Sequence, residues 1–134
     1  MKQALSCVLI AIIFTLIGCS KVSPDAVQLT VDFTWQGLMP CGWGNPEISI
    51  EGVPENTKAL MVSMYDHAYF HDHGEVTIPY DGTSIIKMGV LAKIQGPCPF
   101  GVPGRYKITI KALDENDVVI GRGSKRRYFP EEKK

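Results

Sequence analysis

The sequence predicts an all-β fold, an antiparallel β-sandwich in one domain, and three observations carry that prediction. Apolar and polar side chains alternate from Val27 to Trp35, and they alternate again from Arg105 to Ala112 ahead of an acidic turn and Val118-Val119-Ile120. A period of two is that of a strand with one buried face, and nowhere does a 3.6-residue apolar period persist for three helical turns.

The first strand places Val27, Leu29, Val31, Phe33 and Trp35 on one face and Gln28, Thr30, Asp32 and Thr34 on the other, so Trp35 is expected in the core. Ile48 and Ile50 continue the alternation in a short strand that ends at the turn Gly52-Val53-Pro54-Glu55-Asn56. The near-continuous apolar run from Ala59 to Tyr65 reads as a central strand covered on both faces. Shorter strands are expected over 75–79, 85–94 and 125–129. Tyr106, Ile108, Ile110 and Ala112 alternate with Arg105, Lys107, Thr109 and Lys111, and Asp114-Glu115-Asn116-Asp117 then closes a hairpin.

The N-terminus reads as an export address. Lys2 precedes an apolar run, Val8 to Ile17, interrupted only by Thr15, which is the charged and hydrophobic order of a secretory signal. The run is well short of the roughly 20 apolar residues that span a bilayer. Leu16-Ile17-Gly18-Cys19 resembles the lipobox of bacterial lipoproteins, which implies a signal peptide over 1–18 and lipid on Cys19. Two or three acyl chains anchor a protein stably where one does not. Residues 19–26 are then a lipidated tether and 27–134 the β-sandwich domain. Ser20 rather than Asp after the cysteine points to the outer membrane, facing the periplasm of a bacterial cell envelope.

The chain of 134 residues carries 14 basic and 14 acidic side chains, so it lacks the basic footprint of a nucleic-acid binder. Lys125-Arg126-Arg127 reads as a solvated strand segment, since headgroup recognition usually takes 4 to 8 charges. No Gly-x-Ser-x-Gly, phosphate-binding loop or His-Glu-x-x-His occurs, and the expectation is a protein that is not an enzyme and needs no cofactor. After processing, Cys41 and Cys98 remain as one pair in an oxidising compartment, which predicts a disulfide between them.

Asp66 after the apolar strand, His73-Gly74, Gly96-Pro97-Cys98-Pro99, Tyr106 and Ala112-Leu113-Asp114 stand in an order that resembles the phosphatidylethanolamine-binding protein family, including the bacterial Raf-kinase-inhibitor-like proteins. The resemblance covers roughly residues 32 to 130. It implies that family's β-sandwich and a small anion-binding pocket framed by Asp66, His73, Gly96, Pro97, Pro99 and Tyr106. The sequence also departs from the pattern. His67-Ala68-Tyr69-Phe70 replaces the family's Pro-Asp-Ala-Pro, Phe100 replaces its second proline after Gly-Pro, and Gly104 stands where a His-x-Tyr histidine is expected.

The expectation is a lipid-anchored, non-catalytic module that binds a small anionic ligand or an envelope protein. Two alternatives stay open. One is a structural envelope lipoprotein whose pocket is closed by Phe100. The other is zinc or copper capture by His67, His71 and His73, because imidazole is the ligand those ions favour and extended backbone would aim His71 and His73 the same way. Trp43 and Tyr69 either pack in the core or line a ligand groove.

Overall fold

The computed structural model describes residues 21–131, so the signal segment and Cys19 lie outside the described residues. Eight strands form two sheets: β1 Val22–Gln28, β2 Thr30–Thr34, β3 Glu47–Glu51, β4 Ala59–Asp66, β5 His71–Pro79, β6 Ile85–Ile86, β7 Gly104–Leu113 and β8 Val119–Phe129. The larger sheet has the order β1-β8-β7-β4-β5 and the smaller β2-β3-β6.

The alternating run read as one strand is divided between both sheets. β1 pairs with β8, β2 pairs with β3, and the chain crosses at Leu29, whose amide still donates to the Arg122 carbonyl at 2.9 Å. The crossing makes β1 run parallel to β8, the one parallel pair among otherwise antiparallel ladders of the described residues. Close approach there depends on Gly123: a Cβ would meet the Leu29 carbonyl oxygen and stand 2.9 Å from Val31 Cγ2. Residues 22–26, expected in the solvated tether, are strand instead, with pairing to β8 at Val22 and again at Val27 and an irregularity between the two.

Leu29, Val31, Phe33, Trp35, Ile48 and Ile50 face Leu60, Val62, Met64, Ile108, Ile110 and Ala112, and this layer is the core. Trp35 is buried as expected, its ring edge-on to Phe33, Tyr106 and Phe129 and its Nε1 donating to the Tyr128 carbonyl at 2.8 Å. β4 is central, between β5 and β7, but it is not covered on both faces. Leu60, Val62, Met64 and Asp66 are buried, whereas Ala59, Met61, Ser63 and Tyr65 are half-buried on the outer face. The expected strand 85–94 shrinks to two residues; beyond Gly89 the chain loops, and Leu91 and Ile94 plug into the core from that loop. The hairpin β7-β8 forms as read, its turn held by Asp114 Oδ1 accepting the Asn116 and Val118 amides.

Candidate functional site

β4 and β7 pair so that Asp66 lies opposite Tyr106, and alternation turns both inward at one end of the sandwich. The turn 67–70 then feeds β5, where His71 and His73 stand two residues apart. Their rings meet edge-on with centroids 4.8 Å apart, at the place where the β4–β5 register shifts between Asp72 and Gly74. The loop 95–100 closes the other wall, and its position is fixed by backbone bonds: Gln95 N donates to the His73 carbonyl, Gly96 N to Gly42 and Cys41 N to Pro97. Cys41 and Cys98 are joined by a disulfide with a Cα–Cα distance of 4.4 Å.

These elements enclose an open cavity of about 320 Å³ lined by Asp66, Tyr69, His71, His73, Gln95, Cys98 and Phe100. Phe100 is 75% exposed at its rim, so it borders the opening instead of filling it. Phe70 and Trp43, the latter bridged to Gln95, add exposed apolar surface nearby.

Each polar group in the wall is oriented. Asp66 is buried, and its Oδ1 accepts the Ala68 amide at 2.7 Å and the Arg105 amide at 3.0 Å. His73 Nδ1 lies 3.0 Å from the Gln95 carbonyl, which only accepts, so Nδ1 carries the proton and neutral Nε2 keeps its lone pair. Burial lowers the His73 pKa below the ordinary histidine value, against the raising effect of the Gln95 carbonyl, and His71 adds to the lowering. His73 is therefore neutral at pH 7. The Tyr106 hydroxyl accepts the Cys98 amide at 3.0 Å; burial, with Asp66 alongside, raises its pKa to about 12, so it stays protonated. The Tyr69 hydroxyl sits among the backbones of Phe100 and Val102, donating to the Phe100 carbonyl at 2.5 Å, with the Val102 carbonyl at 3.0 Å, and accepting from Phe100 N at 3.2 Å. It holds the rim loop in place.

Of the six residues expected to frame the pocket, Asp66 and His73 line it. Gly96, Pro97, Pro99 and Tyr106 stand behind the wall: Gly96, Pro97 and Tyr106 are buried, and Tyr106 supports Cys98. The three-histidine metal site does not assemble. Among the described residues no three His, Cys, Asp or Glu side chains converge on one point. His67 packs edge-on against Tyr65 on the outer face of the sheet, where desolvation and the charges of Arg126, Arg105 and Lys107 lower its pKa. One step of strand parity separates it from His71 and His73. Gln95 was not legible as a site residue, because its place depends on the bridge to Trp43 and the pairing with His73; its position beside Gly96-Pro97 was the only available signal.

No protein-family model matches the chain, and no curated protein matches it in sequence. Solved structures resemble it, among them these two. A phosphatidylethanolamine-binding protein (PEBP) homologue from Chlamydia trachomatis superposes with a TM-score of 0.54 at 17% identity, over 82% of this chain and 99% of that one. Escherichia coli YbcL, described as a new member of the mammalian PEBP family, superposes with a TM-score of 0.50 at 20% identity, over 85% of this chain and 92% of that one. The two-sheet sandwich is thus the phosphatidylethanolamine-binding protein fold, and this chain adopts it.

Proposed function

We propose that this protein is a non-catalytic binding module of the bacterial cell envelope, anchored at the outer membrane by lipid on Cys19, that takes a small phosphate-bearing ligand into the end cavity. One observation carries the reading: an open cavity of about 320 Å³ whose wall carries Asp66, His71, His73 and Gln95 beside Tyr69 and Phe100. The lining offers hydrogen-bond donors and acceptors but no Ser or Thr hydroxyl and no free thiol, since the Cys98 sulfur is bound to Cys41.

The lining contains no Lys or Arg and His73 is neutral, so none of these supplies positive charge to a bare anion there. A zwitterion meets better partners: an ammonium suits the Asp66 carboxylate and the His73 Nε2 lone pair, and a phosphate suits an N–H of His71 and of the Gln95 side-chain amide. Phosphoethanolamine has both, and the family of the two fold neighbours is named for a lipid with that headgroup.

The test is a melting-temperature panel on the mature protein with phosphoethanolamine, inorganic phosphate and zinc. A ligand specific for the folded state stabilises by about 2.7 kcal/mol at a hundredfold excess over its Kd. The expected result is a Tm rise with phosphoethanolamine that His73→Ala abolishes. A rise with zinc alone would assign the pocket to His71 and His73 as a metal pair, and no rise with any of the three would favour a purely protein-binding surface.

A further inference from the structure

The outer face of the five-stranded sheet gathers cations that are scattered in sequence. Alternation along β7 turns Arg105, Lys107 and Lys111 outward, and along β8 it turns Arg122 and Arg126 to the same side. The register sets Lys107 directly opposite Arg126 and Lys111 directly opposite Arg122. Like charges facing each other across an antiparallel pair repel and destabilise it. Nothing nearby neutralises them: among the described residues none of these five side chains has a carboxylate within 4.0 Å. The adjacent cations of inward parity, Lys125 and Arg127, do have a partner in Asp32. The face's own carboxylates, Asp72 and Glu75, stand on β5, two strands from β7. Tyr65 and Tyr128 interleave with the cations, opposite Lys107 and Arg105 respectively.

A protein of zero formal charge that concentrates five unpaired cations on one sheet face has that face matched to a polyanion. We propose that the outer face of β7 and β8 docks on the anionic phospholipid headgroups of a bilayer, with Arg105, Lys107, Lys111, Arg122 and Arg126 as the contacts. Five cations fall in the range that recognises acidic headgroups, a count the stretch 125–127 alone does not reach. The place where the chain enters the fold selects a membrane over an acidic protein. β1 begins at Val22, pairs beside β8, and lies three residues after Cys19, a reach of at most about 11 Å. This second argument rests on the proposed lipid at Cys19; the charge pattern does not.

The experiment uses the mature protein from its own full-length gene, mixed with vesicles of phosphatidylcholine alone or of phosphatidylcholine with phosphatidylglycerol. Flotation on the neutral vesicles reads the lipid anchor. Acetylation of individual lysines, followed by mass spectrometry, reads the sheet face. Lys107 and Lys111 are expected to react several-fold more slowly on the anionic vesicles, whereas exposed Lys87 outside this sheet reacts equally on both. In 1 M salt, where the screening length is about 3 Å, the protection disappears. The double variant Lys107→Gln and Arg126→Gln removes a repulsive pair, so it is expected to melt no lower than wild type and to leave Lys111 unprotected. If the anchor is absent, flotation on neutral vesicles fails while recruitment and protection on anionic vesicles persist. Equal acetylation on both vesicles overturns the proposal. Protection by soluble polyglutamate with none by vesicles overturns it in favour of an acidic protein partner.

Discussion

Gly104 and Tyr106 share the inward face of β7, and the Tyr106 ring lies where a side chain on Gly104 would begin: a Cβ there would stand under 3.0 Å from the ring and its hydroxyl. The absence of a histidine at this position is therefore built into the packing. Tyr106, fully buried and bonded to the Cys98 amide, occupies the volume that a His-x-Tyr histidine would need, and the pocket keeps its wall at the expense of that donor.

Gly104→Ala is expected to cost about 1–3 kcal/mol, the usual range for overpacking a filled core. Gly104→His should cost more, while adding Tyr106→Ala to it should recover part of the loss by vacating the space. Urea unfolding of the three variants decides the matter; a Gly104→Ala protein as stable as wild type would mean that the ring moves aside freely.

Asp66 carries a separable structural role. Its Oδ1 accepts two backbone amides, Ala68 at the turn and Arg105 on β7, so Asp66→Ala leaves both donors without that partner and is expected to destabilise by about 2 kcal/mol or more. Asp66→Asn retains an oxygen acceptor in the same place and should lose less than half as much. If the proposed zwitterion uses the carboxylate, Asn also weakens phosphoethanolamine binding while the fold stays intact, which a thermal shift on the folded variant reads directly.

The outline of the fold was legible because strand parity is local. The alternation at Val27–Trp35 and Arg105–Ala112 assigned the core face, and Trp35, Ile108 and Ile110 are buried as that parity demands, whereas Val27, ahead of the switch between sheets, is exposed. The sheet switch at Leu29 was not legible, since alternation continues unbroken through it and the choice of sheet is made by the close approach to Gly123. Leu91 and Ile94 looked like strand residues because a loop that plugs a core needs the same apolar side chains as a strand. At the site, Asp66 and His73 followed from their order along the chain, but Gln95, the fate of His67 and the basic face depend on register between distant segments. Lys107 and Arg126 become neighbours only once β7 and β8 pair, and no window of sequence contains both in contact.

The disulfide closes a stretch of 57 residues and also forms part of the cavity wall through Cys98. In the chain-entropy account a loop of that length contributes about 4 kcal/mol. Replacing both cysteines by Ser is expected to lower stability by up to that amount, and mass spectrometry of the wild type should show a gain of two daltons on reduction. Because Cys98 N also bonds Tyr106, the variant should remain folded yet lose ligand-induced stabilisation. A variant with wild-type unfolding free energy would show that the wall needs no crosslink.

His73 and His67 give the protein a predictable response to acid. Desolvation lowers both pKa values below the ordinary 6.5, and cationic neighbours deepen the shift at His67. A histidine whose folded pKa is depressed binds its proton more readily in the unfolded chain, so stability rises with pH across that window. The contribution is fully present above pH 6.5 and is lost as the pH falls from there through the folded values. Around His73 the titratable groups are Asp66, His71 and Tyr106; of these, Asp66 opposes the lowering, and Tyr106 stays protonated throughout. Unfolding free energies measured between pH 7.5 and 5 should therefore decline toward acid, His73→Gln should flatten the decline, and the double variant with His67→Gln should flatten it further. An unchanged slope in the double variant would place the acid response elsewhere, with Asp32 the next candidate only at much lower pH, because Arg127 and Lys125 hold its carboxyl below the usual carboxylate range despite the opposing effect of burial.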